Sequence, residues 1–266
     1  MRTSGAYRYN SLEDFLISNP LEIDGVLCDG NGALFPAKGR EVEAAILFID
    51  ISSFSKRTLD LTPTETLIFV NNFFAWVTAE GLRDRPGIVD KYIGDEMMVV
   101  FAREFGSKDP FLDAVQTARA MIEHDALAYC PHIGIAAGSV NVGYVGTPLK
   151  YNCSVFGQPV ALAARCAGIK SINDTPSRII FPAVHWGDRT IAEGLGGASP
   201  EGLWELQPVR VEPIKNMPDL EVRELTYTVI HIPQPGFSAV ERAKESFAVL
   251  KNAGFWRPLP FDPSKL

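Results

Sequence analysis

The sequence predicts an α+β fold built on a ferredoxin-like βαββαβ unit, and three features support this fold. The run from Ala44 to Ile49 is apolar and uncharged, which is typical of a buried strand. Two later segments begin with a capping residue followed by proline, as helices often do. Between them, two apolar runs flank the short turn 94–96, which predicts a tight β-hairpin.

The first strand is expected from about Val42 to Ser52, and a helix follows it. In this helix Thr62 is a good N-cap, Pro63 suits the first helical position and Glu65 completes a capping box. Apolar residues at helical spacing continue the helix to a stop near Gly81.

The hairpin is predicted to pair residues 87–93 with 97–102. A second helix opens at Asp109-Pro110 and extends toward Tyr129, and a strand over 132–142 completes the unit. Two helices would then cover one sheet face and leave the other face available for a ligand or a partner.

The rest of the chain predicts extra C-terminal strands and helices around this unit. We expect a helix over 157–167, a C-terminal helix over 238–252, and strands at 178–181, 203–211 and 225–231. The predicted organisation is a lead-in over 1–40 with a short helix after Ser11, a main domain over 41–232, and a C-terminal helix and extended tail over 233–266.

Composition excludes several classes of function for this 266-residue chain. Its net charge of -7 argues against a general nucleic-acid-binding protein, which would carry a basic surface. No stretch reaches the roughly 18 apolar residues that span a bilayer, so no membrane partner is predicted. Its four cysteines form no CxxC pair, and this pattern fits a protein of the reducing cytoplasm rather than a structural zinc site.

Asp50 is the unusual residue of the first strand, because it adds a carboxylate to an apolar run. Such a carboxylate is costly to desolvate unless it caps the next turn or binds a cation. Asp95 lies in the predicted hairpin turn, where by itself it is typical of turn chemistry. The fold makes the first strand and the hairpin neighbours, and converging carboxylates repel unless a cation joins them or one is protonated. The pair therefore indicates Mg²⁺ or Mn²⁺, and the turn 51–55 adds N–H groups and hydroxyls for phosphate oxygens.

Two basic residues are further candidates. Lys91 lies four residues before Asp95, where a lysine either contacts a ligand or is simply solvated. Arg165 follows the apolar helical stretch 160–164, and a guanidinium there needs an anion. That anion belongs either to a structural salt bridge or to a bound ligand.

Four segments together resemble the motifs of class III nucleotidyl cyclases. Residues 48–55, FIDISSFS, resemble the first metal motif of that family, and residues 91–95, KYIGD, resemble the second. Residues 132–138, HIGIAAG, resemble the central strand, and residues 155–165, VFGQPVALAAR, resemble the helix of the dimerisation arm. The resemblance covers about 41–170 and, more loosely, the strands to about His231.

The resemblance implies that a nucleoside triphosphate is converted to a 3′,5′-cyclic monophosphate with release of pyrophosphate. It assigns two ions, Mn²⁺ or Mg²⁺, to Asp50, Asp95 and the backbone carbonyl of Ile51, and it makes Asp50, Asp95 and Arg165 catalytic. It also implies sites between two protomers, one giving the metal aspartates and the other the base-contacting and transition-state residues. This chain carries both sets, which implies a homodimer with two sites. The nucleotide-binding residues would be Phe48, Ser53, Phe54, Ser55, Lys91, Ser154 and Lys215.

The chain departs from the family pattern mainly where the base and ribose are bound. Lys91 matches the base-contacting lysine of adenylate cyclases, but Ser154 stands where those enzymes usually carry Asp or Thr. Ala161 replaces the asparagine that orients the ribose, and Ser53 replaces a usual glycine. With no recognisable sensor or membrane domain, this combination is similar to the stand-alone pyrimidine cyclases of bacterial Pycsar antiphage systems. That resemblance implies conversion of UTP to cyclic UMP, a second messenger that acts on a separate effector protein.

Three other functions remain open at this point. Cyclisation of CTP to cyclic CMP is the nearest, because no residue separates the O4 of uracil from an amino group at C4. An adenylate cyclase is favoured by Lys91 together with Ser154. A catalytically inactive binding module is favoured by Ala161, although such a module has no evident use for two repelling aspartates.

Overall fold

A computed structural model describes residues 8–28, 30, 34–83, 85–147, 150–197, 202–214, 218–229 and 238–252, with the side chain of residue 147 left out. The strands in this part of the chain are β1 Ile23–Cys28, β2 Leu34–Ile51, β3 Ile88–Ile93, β4 Glu96–Ala102, β5 Pro131–Thr147, β6 Lys150–Phe156, β7 Arg178–Pro182, β8 Gly202–Leu206, β9 Arg210–Glu212 and β10 Leu220–Val229. The α-helices are α1 Leu12–Ser18, α2 Phe54–Arg57, α3 Pro63–Trp76, α4 Pro110–Glu123, α5 Gln158–Gly168, α6 Ala183–Trp186, α7 Ile191–Leu195 and α8 Ala239–Asn252.

The strands form one sheet whose main order is β3-β4-β2-β5-β7-β10-β8. Its first four strands are the ferredoxin-like unit, in which β2 lies between β4 and β5 and is antiparallel to both. The predicted fold class is thereby confirmed. No helix in the described ranges is long and apolar enough to cross a membrane.

The two helices of this unit begin where their caps predict. Thr62 accepts a hydrogen bond from the Glu65 N–H, and the Glu65 carboxylate accepts one from the Thr62 N–H at 2.8 Å. Asp109 caps α4 by accepting from the Leu112 N–H.

The helix α4 ends at Glu123, so the predicted extension toward Tyr129 is wrong. The chain turns there because the Asp125 carboxylate accepts from the N–H groups of Tyr129 and Cys130, an alternative to helical hydrogen bonds.

The predicted free sheet face is also wrong. One face packs against α3, α4 and α8 through a large apolar core that includes Leu47, Phe73 and Met121. The opposite face carries a second core, in which α1 and α5 pack over residues such as Phe48 and Val142. Alternate residues of β2 enter the two cores, so both faces of this strand are buried.

Several strand boundaries differ from the prediction: β2 begins earlier, at Leu34, and β5 extends to Thr147. The hairpin of β1 with the start of β2 is absent from the predicted elements, because all six residues of β1 are exposed and give no burial pattern. The predicted strand 203–211 is two strands, β8 and β9, which both pair with β10. The last predicted strand begins earlier, at Leu220, and residues 230–231 of that prediction lie outside the described chain.

Candidate active site

Asp50 and Asp95 meet at one end of the central strands. Ile49 of β2 lies opposite Met97 of β4, so the end of β2 lies beside the turn between β3 and β4. The two carboxyl groups are hydrogen bonded to each other. They share a cleft of about 470 Å³, whose lining residues are Asp50, Ile51, Ser53, Phe54, Ser55, Lys56, Asp95 and Glu96.

The electrostatics of this cleft favour a proton or a cation between the carboxylates. Burial, the hydrogen bond to Asp95 and the negative charges of Asp95 and Glu96 raise the pKa of Asp50 to about 8. The Ile51 N–H opposes this shift by donating to the Asp50 carboxylate. Burial, followed by the charge of Asp95, also raises the pKa of Glu96. Without a cation, a shared proton relieves the repulsion between the two carboxylates. A cation bound between them would relieve the same repulsion.

The donors in the cleft fit Mg²⁺ or Mn²⁺. Carboxylates and a backbone carbonyl are hard oxygen ligands, which these ions prefer. Among the residues that the structure describes, no three or more His, Cys, Asp or Glu side chains are placed so that they could together hold one metal ion. An ion held by Asp50 and Asp95 would therefore complete its coordination with backbone, water or phosphate oxygens.

The turn after β2 is held in an unusual conformation. Ser53 has a φ of 55° and a ψ of 35°, in the left-handed region that glycine adopts more easily. Ser53 is also the residue that stands where the first metal motif of class III nucleotidyl cyclases usually has a glycine. Phe54 anchors the turn by packing on Phe69, with ring centroids 6.2 Å apart. Ser53 and Ser55 remain exposed in the cleft, beside the positive charge of Lys56.

Lys91 and Ser154 form a second group of predicted site residues. The Lys91 ammonium donates to the Ser154 hydroxyl at 2.6 Å, joining β3 to β6. Ser154 is buried, whereas the Lys91 side chain is 40% exposed. The same hydroxyl donates to the carboxylate of Asp90, a residue that the sequence did not single out.

Arg165 lies apart from both groups. It is exposed in the last turn of α5, and it lines a cavity of about 400 Å³ together with Lys170 and Ile214. Within the described ranges, no salt bridge involves Arg165, so the alternative of a structural ion pair finds no support there. Ala161, on the same helix, is exposed.

Two predicted nucleotide-binding residues remain, one in the core and one outside the described chain. Phe48 is only 5% exposed and packs in the core on the α1 and α5 face. Lys215 lies outside the described residues.

One chain thus holds the predicted residues in separate groups. The cleft of Asp50 and Asp95 has no lining residue in common with the cavity of Arg165. The sequence did not predict Lys56, Glu96 or Asp90 as residues of the site. The first two directly adjoin predicted site residues, and that adjacency was the available signal. Asp90 gave none, because regular alternation would direct it and Lys91 to opposite faces.

Comparison with known proteins places this site in context. The model of the adenylate and guanylate cyclase catalytic domain matches residues 37–172, just over half of the chain. Among curated proteins, the uncharacterized protein Rv1320c of Mycobacterium tuberculosis is 34% identical over 146 residues, covering 53% of this chain and 25% of its own length. Rv1318c of the same organism is 33% identical over 130 residues, covering 48% of this chain and 24% of its own. The chain therefore spans about a quarter of the length of these relatives.

Solved structures share the fold at low sequence identity. The adenylyl cyclase CyaB from P. aeruginosa has a TM-score of 0.58 at 16% identity, over 73% of this chain and 99% of that one. The guanylyl cyclase Cya2 has a TM-score of 0.53 at 20% identity, over 76% and 98%. The guanylate cyclase domain of RhGC from Catenaria anguillulae, solved in complex with GTP, has a TM-score of 0.56 at 18% identity, over 70% and 98%.

Proposed function

Because the chain belongs to the adenylate and guanylate cyclase catalytic domain family, we propose that it cyclises a nucleoside triphosphate and releases pyrophosphate. The observation that carries the proposal is the hydrogen-bonded pair Asp50 and Asp95 in an open cleft. In the reaction, the 3′ oxygen forms a bond to the α-phosphorus. The bond from that phosphorus to the bridging oxygen of the β-phosphate breaks, pyrophosphate leaves, and the hydroxyl proton passes to solvent.

The residues of the cleft have distinct tasks in this reaction. Asp50, Asp95 and the Ile51 carbonyl would hold two Mn²⁺ or Mg²⁺ ions, which would neutralise phosphate charge and make the 3′ hydroxyl easier to deprotonate. The turn 51–55 offers N–H groups and hydroxyls to the phosphate oxygens, and Lys56 adds positive charge at its edge. Arg165 stabilises the charge that develops on the phosphoryl group.

A complete site needs residues that one protomer keeps apart. We propose a homodimer in which Asp50 and Asp95 of one copy face Arg165, Lys91 and Ser154 of the other. The separate cavities of Arg165 and of the aspartates within one chain support this arrangement.

Mixing two inactive variants tests the shared site. Asp95→Asn and Arg165→Ala should each be inactive alone. After subunit exchange in equal amounts, half of the dimers carry one intact site of two, so about one quarter of the wild-type activity should return. A mixture that stays inactive, although exchange is verified with tagged subunits, would contradict a shared site. Each variant mixed with a tagged copy of itself is the control.

The favoured substrate is UTP, and the product is cyclic UMP. The base-reading pair of Lys91 and the small Ser154 supports a pocket that departs from that of purine cyclases. CTP is the second candidate, because both pyrimidines offer a hydrogen-bond donor beside an acceptor. Incubation of the purified protein with each triphosphate and Mn²⁺, with products separated by chromatography, tests the choice. A strong preference for ATP would instead favour an adenylate cyclase.

The cellular role we propose is antiphage defence through a second messenger that acts on a separate effector protein in the cytoplasm. The test is phage challenge of bacteria that carry the gene with its neighbouring genes, with wild type compared with Asp50→Asn and Asp95→Asn. Protection should require both aspartates. If both variants protect as well as the wild type, the chain acts as a binding module and not as an enzyme.

A further inference from the structure

Asp90 in β3 is a buried carboxylate at the centre of a three-residue hydrogen-bond network. Its side chain is 1% exposed. Its Oδ2 accepts from the Ser154 hydroxyl at 2.8 Å and lies 3.1 Å from the Lys91 ammonium. Since Lys91 also donates to Ser154 at 2.6 Å, each of the three side chains contacts the other two.

A β-bulge brings these side chains together. In the pairing of β3 with β4, Val89 lies opposite Val99 but Lys91 lies opposite Met98, so Asp90 is an extra residue in β3. Regular alternation would direct Asp90 and Lys91 to opposite faces of the sheet. The bulge instead directs both toward Ser154, and bulges commonly reorient side chains in this way.

The network is costly as a purely structural feature. Burial raises the pKa of Asp90, against the opposing effects of Ser154 and Lys91. The Oδ1 atom of Asp90 is buried and has no hydrogen-bond partner among the described residues. Well-packed apolar residues commonly stabilise a core at least as well as such an ion pair. The presence of this carboxylate beside an exposed lysine therefore points to a role in ligand binding.

We propose, on the basis of the nucleotide-binding function proposed above, that Asp90 is a positioning residue that fixes the hydrogen-bonding direction of Ser154 and Lys91. A serine hydroxyl normally rotates to suit its partner. Here its proton is committed to Asp90 and one lone pair is committed to Lys91, so Ser154 can only accept a further hydrogen bond. Lys91 can only donate. Through the exposed Lys91 and the 3% of Ser154 that stays accessible, the pair would present one fixed donor and one fixed acceptor to the base.

This fixed direction is a means of separating the two pyrimidines. Uracil has an exocyclic acceptor, O4, beside a ring donor, the N3–H. Cytosine has the reverse order, an exocyclic amino donor beside the ring acceptor N3. A fixed donor and acceptor in one position match only one of these orders. A freely rotating serine could also donate to the ring N3 of cytosine, which would weaken the discrimination that Lys91 alone supplies.

The test measures base selectivity in Asp90→Ala and Asp90→Asn. Binding of the 3′-deoxy forms of UTP, CTP, ATP and GTP, which lack the attacking hydroxyl, is measured by calorimetry with Mn²⁺, and kcat/KM is measured with the ordinary triphosphates. In Asp90→Ala the affinity ratio between the best and second-best base should fall about tenfold, the equivalent of one hydrogen bond. Asp90→Asn keeps an acceptor for Ser154 and should lose less of the ratio. If the alanine variant does not fold, the asparagine variant decides.

A matched control is Asp113→Asn. Asp113 accepts a hydrogen bond from the buried Ser107, which lies beyond the opposite end of β4 from Asp95. Asp113→Asn should leave the affinity ratio between the best and second-best base unchanged.

Two results would overturn the role of Asp90. One is a wild-type protein without base preference in binding. The other is Asp90 variants that weaken binding of every base by the same factor, as a merely structural residue would. A wild type that prefers one base in binding but forms no cyclic product would refute the proposed cyclase function instead. The affinity ratios would still decide the role of Asp90 in that case.

Discussion

Binding of Mn²⁺ to the metal-free protein should release protons from the aspartate pair. With a pKa of about 8, Asp50 is mostly protonated at pH 7, and the proton must leave when the carboxylate binds an ion. We therefore expect release of most of one proton per protomer at pH 7, and progressively less as the pH rises through about 8. Calorimetric titration in buffers with different ionisation enthalpies gives this number directly.

The variant Glu96→Gln provides a matched perturbation. The negative charge of Glu96 contributes to the raised pKa of Asp50, although less than burial and Asp95 do. Removing that charge should lower the pKa of Asp50 and so reduce proton release at pH 8 more than at pH 7. Proton release near zero at both pH values in the wild type would refute the shared-proton description of the cleft. If Glu96→Gln releases as many protons as the wild type, the charge of Glu96 does not contribute to the raised pKa of Asp50.

Three further predictions concern stability. The pKa of Asp50 is higher in the folded than in the unfolded protein, so in the absence of metal its contribution to stability should be lost as the pH rises from about 4 to about 8. In Asp50→Asn this pH-dependent loss of stability should be absent, as measured by thermal unfolding in EDTA. Ser53→Gly should raise the free energy of unfolding in urea by about 1 kcal/mol, because glycine adopts a φ of 55° without strain, and Ser53→Ala should not. Gly134→Ala should lower it by about 3 kcal/mol or more, since a Cβ there would lie 2.0 Å from the Ala163 carbonyl oxygen of α5. Gly168→Ala should leave the free energy of unfolding nearly unchanged, since a Cβ there would meet nothing within 4 Å.

The ferredoxin-like unit was predictable because its signals are local and agree with one another. The capping box of Thr62 and the cap at Asp109 fix where two helices begin, and the short turn before Glu96 fixes a hairpin. Once these elements are known, the topology requires β2 to lie beside β4. The proximity of Asp50 and Asp95 follows from that requirement.

The strand β1, which is absent from the predicted elements, lacks such local signals. The residues of β1 are all exposed, so no alternation of apolar and polar residues marks the strand. The predicted free face assumed that the lead-in makes no core contacts. Leu12, Phe15 and Leu16 of α1 are in fact buried on that face. The spacing of these three residues indicates a buried helix face, but it does not indicate which face of the sheet the helix covers.

The two halves of the site also differ in how strictly the sequence determines them. The regular pairing of β2 with β4 and β5 fixes the position of Asp50. If β2 shifted by one residue against its neighbours, Asp50 and the apolar residues before it would all turn to the opposite face of the sheet. The core therefore enforces the position of this proposed metal ligand. The contact of Lys91 with Ser154 depends instead on the bulge at Asp90, and a bulge can be gained or lost without inverting the core. Changes in base preference should consequently arise from substitutions in β3 and β6, whereas substitutions near Asp50 should alter catalysis with every base alike.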